Sequence, residues 1–152
     1  MFCSCGQSTH AGLDKPKVLP LGLGADSTLR NTTWLTPKGK TLYSFLDLVK
    51  HKRQPNFKLN IIVMTDEFEE NWVKKTDIDS LLKLTKSKLK CDCFLNPLSS
   101  YIPSDSADLG GYAIALIKSY KDKKRMSFGL YSCPKTSDKE AEELITWWTH
   151  QK

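Results

Sequence analysis

The chain has 152 residues, 39% hydrophobic and 26% charged, which sets aside a wholly disordered protein and allows one domain with an ordinary core. No apolar run approaches the roughly 18 residues of a membrane span, so no membrane partner is expected. The net charge of +6 comes almost wholly from lysine, with arginine only at Arg30, Arg53 and Arg125. Base-edge and phosphate recognition favour arginine's planar fork. Scattered lysine reads as solvated surface, with non-specific attraction to nucleic acid left open.

The first residues carry neither the basic flank nor the apolar core of a secretory signal, and the expectation is an intracellular protein, cytoplasmic or nuclear. The five cysteines are then expected as free thiols. Residues 1–14 read as a flexible tail and 15–152 as one domain. Cys3, Cys5 and His10 stand close together in the tail, but a closed zinc site needs four ligands.

In chain order, residues 17–23 are interrupted by Pro20 and Gly22 and read as an edge strand. Thr36-Pro37 signals a helix start, and Leu42, Phe45, Leu46 and Val49 make one apolar stripe. Lys50, His51, Lys52 and Arg53 close that helix, where cations suit the dipole. The run from Leu59 to Met64 reads as a strand buried on both faces, the kind found at the middle of a parallel sheet. In open α/β sheets, ligands sit beyond the carboxyl ends of the strands, and Asp66 occupies that place.

A second helix is expected from a capping Thr76 with Asp79 three residues on. Ile78, Leu81, Leu82 and Leu89 supply its apolar face. Residues 91–95 read as another strand, with Cys91 and Cys93 on one face as core packing. Residues 98–111 read as a long loop on the same sheet edge as Asp66. Residues 112–133 carry two patterns. Ala113, Leu116, Ile117 and Tyr120 have helical spacing; Met126, Phe128 and Leu130 alternate. A hairpin of 112–120 with 125–133 is the preferred reading. Ser137 and Glu140 form a capping box, and Ala141, Leu144, Ile145 and Trp148 stripe a terminal helix. Trp147, beside that stripe, is a candidate anchor for a partner.

The order of elements predicts an α/β fold: a central, mostly parallel sheet flanked by helices, an antiparallel hairpin, and a C-terminal amphipathic helix. The phosphate-binding glycine loop, the G-x-S-x-G elbow and the H-E-x-x-H pair are all missing. The acidic set Asp66, Glu67, Glu69 and Glu70 is the best chemical candidate. Carboxylates and hydroxyls suit a hard cation such as Mg or Ca. A metal-dependent phosphoryl-transfer enzyme would also draw on Asp105 or Asp108. The metal candidates are Asp66, Thr33 and Asp108. The partner-contact candidates are Glu67, Ser99, Ser100, Asp105 and Trp147.

The run Ile61-Ile62-Val63-Met64-Thr65-Asp66-Glu67, followed by Glu69-Glu70-Asn71, resembles the strand and T-D turn of von Willebrand factor A domains. The loop carrying Pro103, Asp105, Asp108 and Gly110 resembles the Ro-protein branch of that family. The resemblance spans roughly residues 31 to 111. It implies that Asp66 helps hold magnesium or calcium, assisted by a loop threonine, Thr32 or Thr33. The family's first metal motif, D-x-S-x-S, is missing, and Asp26-Ser27-Thr28 lacks its spacing. The resemblance therefore implies a degenerate domain used for binding rather than catalysis. The leading expectation is a non-catalytic intracellular module that binds a protein through loops at the carboxyl edge of the sheet. The rivals are a metal-dependent nuclease or phosphoryl-transfer enzyme, and a basic nucleic-acid-binding protein.

Overall fold

The computed structural model describes residues 33–51, 61–64, 66–101 and 105–151. The fold class is mixed α/β. In chain order the elements are β1 (Thr33–Leu35), α1 (Leu42–His51), β2 (Ile61–Met64), a 3-10 turn (Lys75–Asp77) running into α2 (Ile78–Leu82), and β3 (Lys90–Cys91). Then follow β4 (Cys93–Leu95), β5 (Ala107–Asp108), α3 (Leu109–Lys121), β6 (Tyr131–Ser132) and α4 (Asp138–Thr149). Four strands form a sheet in the order β1-β2-β4-β6. The first three are parallel and β6 is antiparallel to β4. β3 and β5 make a separate antiparallel pair. The tail expected at 1–14, with its Cys3, Cys5 and His10, and the strand expected at 17–23 lie outside the described residues.

All four residues of β2 are buried, as a continuous apolar run requires. Alternation divides them between two faces. Ile62 and Met64, with Phe94 of β4, join the main core; Ile61 and Val63 join Cys93 and Leu95 in a second cluster. The main core also takes the apolar stripes of α1, α3 and α4. Phe45 is its hub, with ring centroids 5.5 Å from Phe68, 5.6 Å from Trp72, 6.0 Å from Tyr112 and 6.2 Å from Phe128.

Helix ends fall where side chains satisfy the first amides. Helix α1 starts at Leu42 and not at Pro37, because Lys40 N–H closes a turn onto Pro37 O at 3.0 Å. Thr41 is the cap: its Oγ1 accepts from Ser44 N at 3.2 Å. Before α2, Asp77 and not Thr76 supplies the capping carboxylate, accepting from Lys74 N at 2.8 Å. Asp79 instead accepts from Trp148 Nε1 at 2.7 Å, tying α2 to α4. Leu89 is exposed and not part of the α2 face. The start of α4 is as expected, with Ser137 Oγ accepting from Glu140 N at 3.3 Å.

The preferred hairpin over 112–133 is wrong. Residues 109–121 form α3, and only Tyr131–Ser132 pair as strand. The first half obeys its helical spacing because Gly110 and Gly111 serve close packing and do not break the chain. A Cβ on Gly110 would lie 2.4 Å from Thr85 O, and one on Gly111 2.3 Å from Pro134 C. This approach lets loop carbonyls satisfy amides at the start of α3. Asp108 N donates to Pro134 O at 2.7 Å, Leu109 N to Leu89 O at 2.9 Å and Gly110 N to Ser87 O at 2.9 Å. Tyr112, fully buried, donates its hydroxyl to Asp92 O at 2.6 Å, and burial pushes its pKa well up.

Two cysteine expectations are also corrected. Cys91 and Cys93 do not share a face. The chain leaves one sheet and enters the other at Asp92, so Cys91 falls in the main core and Cys93 in the second cluster. Cys93 is disulfide-bonded to Cys133, just past β6, so these two are not free thiols.

Candidate functional site

The register brings four chain ends to one edge of the sheet. Leu35 lies opposite Met64, Val63 opposite Leu95, and Leu95 opposite Tyr131. Thr36, Asp66, Asn96 and Leu130 therefore follow or precede their strands at the same edge. Thr36 Oγ1 donates a hydrogen bond to Asp66 Oδ2. Asn96 N donates to Leu130 O at 2.8 Å, extending the antiparallel pairing by one step. A cleft of about 280 Å³ opens here, floored by Met64, Phe68, Phe94 and Phe128 and rimmed by Asp66, Glu67 and Arg125. The Arg125 guanidinium bridges two carboxylates of the acidic turn, Glu67 at 2.5 Å and Glu70 at 3.2 Å. All three are exposed, so solvent screening leaves these pairs little net energy.

At the same edge four large side chains are left exposed. Leu98 is 85% exposed, Leu130 57%, and Tyr101 and Tyr131 51% each. The two tyrosine rings sit 4.5 Å apart. The loop that presents them is built by local hydrogen bonds. Asn96 Oδ1 accepts from Leu98 N at 2.9 Å, the Asx turn that Asn-Pro favours. Ser99 Oγ accepts from Tyr101 N at 3.2 Å and donates to Tyr101 O at 2.9 Å. Ser99 thus fixes the tyrosine, while Ser100 is exposed next to it. The sequence reading did not single out Leu98, Tyr101, Leu130 or Tyr131 as contact residues. The available signal was a leucine and a tyrosine set among polar loop residues after Asn96-Pro97.

The structure does not assemble the three metal candidates. Asp66 stands at the carboxyl edge. Thr33 pairs in register with Ile62, three residues before Thr36 and about 10 Å back along the strand direction. The hydroxyl that meets Asp66 is that of Thr36, which the sequence pattern assigned to a helix cap. Asp108 pairs with Lys90, at the amino end of the segment leading into β4. That is roughly 15 Å from the carboxyl edge at strand spacing. Asp108 Oδ1 binds Lys90 Nζ at 2.6 Å, and Oδ2 accepts from Thr136 N at 3.3 Å. Burial pushes its pKa up, but these hydrogen bonds prevail and hold it below the usual carboxylate value. Asp105 likewise binds Lys135 at 2.9 Å, and that bond with the Ser106 amide lowers its pKa. Among the described residues, no three His, Cys, Asp or Glu side chains are grouped to hold a metal ion.

Of the partner-contact candidates, Glu67, Ser99 and Ser100 lie at the carboxyl edge and Asp105 does not. Trp147 is half-buried on α4, its ring 6.5 Å from that of Tyr120 at the end of α3. No helix among the described residues is long and apolar enough to cross a membrane. Compared with known protein families, curated proteins and solved structures, the chain matches none.

Proposed function

We propose that the chain is a single α/β interaction module, without catalysis of its own, that binds a protein partner at the carboxyl edge of its sheet. The observation that carries this reading is the half-exposed Tyr101–Tyr131 ring pair at that edge, with Leu98 and Leu130 also exposed there. Paired tyrosines offer large, stiff contact area at low entropic cost, and apolar side chains grouped this way mark contact surfaces. Asp66 and Glu67 stand at the same edge of the sheet, so the partner is one with apolar anchors and a basic group able to meet them. The resemblance to von Willebrand factor A domains supports the same edge. The test is a photoreactive phenylalanine analogue placed at position 131, with position 43 on α1 as control. A discrete crosslinked partner is expected from position 131 only, and Leu98→Asp is expected to abolish it. Equal labelling from both positions, or insensitivity to Leu98→Asp, would refute the reading.

The Thr36–Asp66 contact favours a second reading, a divalent-cation site at the same edge. Mg or Ca bound only by the folded state raises its melting temperature by mass action. Under this reading the wild type gains several degrees at cation excess over chelator, and Asp66→Ala gains nothing. Coincident melting curves for the two proteins leave the edge as a metal-free contact surface.

A further inference from the structure

A second, larger cleft of about 450 Å³ lies between the chain after the acidic turn, the end of α3 and the end of α4. Its volume falls in the range of about 300–1,000 Å³ typical of small-ligand sites. Three aromatic side chains line it, Trp72, Tyr120 and Trp147, together with Lys121, Lys123 and Lys124. Among the described residues, no acidic one lines it. Among the described residues, none of these three lysines pairs with a carboxylate, whereas Lys118, Arg125 and Lys135 all do. Asp122, the carboxylate nearest in sequence, lines a separate recess with Lys118 and Glu140. Lys121 Nζ stands 5.5 Å from the centre of the Trp147 ring, so a cation already lies against an aromatic face.

The backbone adds an independent observation. Among the described residues, two non-glycine positions have a left-handed φ, Asn71 at 53° and Lys123 at 52°, and both line this cleft. Lys123 occupies the residue after the C-cap of α3. Its amide donates to Tyr120 O at 3.2 Å and that of Lys124 to Ser119 O at 3.0 Å. This is the Schellman arrangement, in which glycine is the preferred residue at that place. A lysine there is strained, and strained residues cluster where a side chain is needed for function.

We propose that this cleft binds a nucleotide unit, its base stacked on Trp147 and its phosphate held by Lys123 and Lys124. The aromatic walls distinguish this from simple anion binding. Base stacking on an aromatic side chain is sequence-tolerant and strong, and unpaired lysines supply the phosphate contact. The nucleotide is either free or part of a single strand, and the two sources share this chemistry. The site is separate from the proposed protein-binding patch, although its wall at Met126 is shared with the carboxyl-edge cleft.

The test uses the full chain with two probes, a fluorescein-labelled eight-nucleotide oligouridylate and unlabelled uridine monophosphate as competitor, in 50 mM salt. Tripolyphosphate, an anion with no ring, is the control competitor. Lys123→Gly and Lys124→Ser are each expected to weaken binding at least about fivefold, and Trp147→Leu about tenfold, as loss of one stacked base implies. Lys139→Ser, on the exposed side of α4, should leave it unchanged. Lys123→Gly relieves the left-handed strain, so its melting temperature should hold or rise, separating loss of binding from loss of folding. The logarithm of affinity should fall with the logarithm of salt with a slope of about −1.4 for two lysine contacts. Displacement by the monophosphate at similar affinity identifies a free-nucleotide site; much tighter binding of the oligomer identifies a strand-binding one. Failure of both probes to bind, equal weakening by Lys139→Ser, or insensitivity to Trp147→Leu would overturn the proposal.

Discussion

Replacing Gly111 with alanine is expected to destabilise the protein by at least about 2 kcal/mol, although alanine is the better helix former by about 1 kcal/mol. The Cβ would lie 2.3 Å from Pro134 C, 2.4 Å from Pro134 O and 2.5 Å from Lys135 N. These are backbone atoms, and they have little room to withdraw. Pro134 O accepts from Asp108 N, Lys135 Nζ is bonded to Asp105, and Cys133 is covalently tied to Cys93. Helix α3 would have to shift instead, and it lies against α1, α2 and α4. Urea unfolding checks this, with Gly39→Ala as reference. Gly39 has φ +70° and nothing within 4 Å of an added Cβ, so only the left-handed strain of about 1 kcal/mol applies there. A Gly111→Ala protein as stable as wild type would mean that α3 does not approach residues 134–135 so closely.

Opening the Cys93–Cys133 bond is expected to cost more. The cysteines are 40 residues apart in sequence. Chain-entropy reasoning for a loop of that length gives about 4 kcal/mol, a large share of the roughly 5–15 kcal/mol that holds a domain folded. The bond joins β4 to the end of β6, the edge strand that presents Tyr131. A Cys93→Ala/Cys133→Ala protein should unfold at a much lower urea midpoint, and reductant should lower the wild-type midpoint toward it. An unchanged wild-type midpoint in reductant would show the pair to be unbonded. The expectation of an intracellular protein and the presence of this bond make opposite demands on the compartment, because a reducing cytosol opens such pairs. The same measurement, made at cytosolic glutathione potential, decides which demand is met.

The local patterns in the chain were legible wherever a period ran undisturbed. Leu42, Phe45, Leu46 and Val49 gave α1, and Ile61 to Met64 gave a strand with both faces covered. Ser137 and Glu140 gave the start of α4. The carboxyl edge was legible too, because a buried strand that stops at Thr65-Asp66 must turn its next polar residues out to solvent. Local signals failed where one residue type serves two physical ends. Gly110-Gly111 reads as a chain break, yet its missing side chains admit Pro134 and Thr85. Thr36-Pro37 reads as a helix cap, yet Thr36 faces Asp66 and Thr41 does the capping.

By itself, then, the sequence determined the α/β class, the buried strand β2, the amphipathic helices α1 and α4 and the place of Asp66, because each follows from a periodicity or an abrupt stop within about ten residues. Only the tertiary structure decided which distant groups meet. It put Asp108 against Lys90 and Asp105 against Lys135, away from Asp66, and joined Cys93 to Cys133. It also gathered Leu98, Tyr101, Leu130 and Tyr131 on one edge, and Trp72, Lys123 and Trp147 in one cleft. The physical reason is that strand order, and the break at Asp92 that sends the chain from one sheet to the other, are settled by packing between segments dozens of residues apart. No local spacing records that packing.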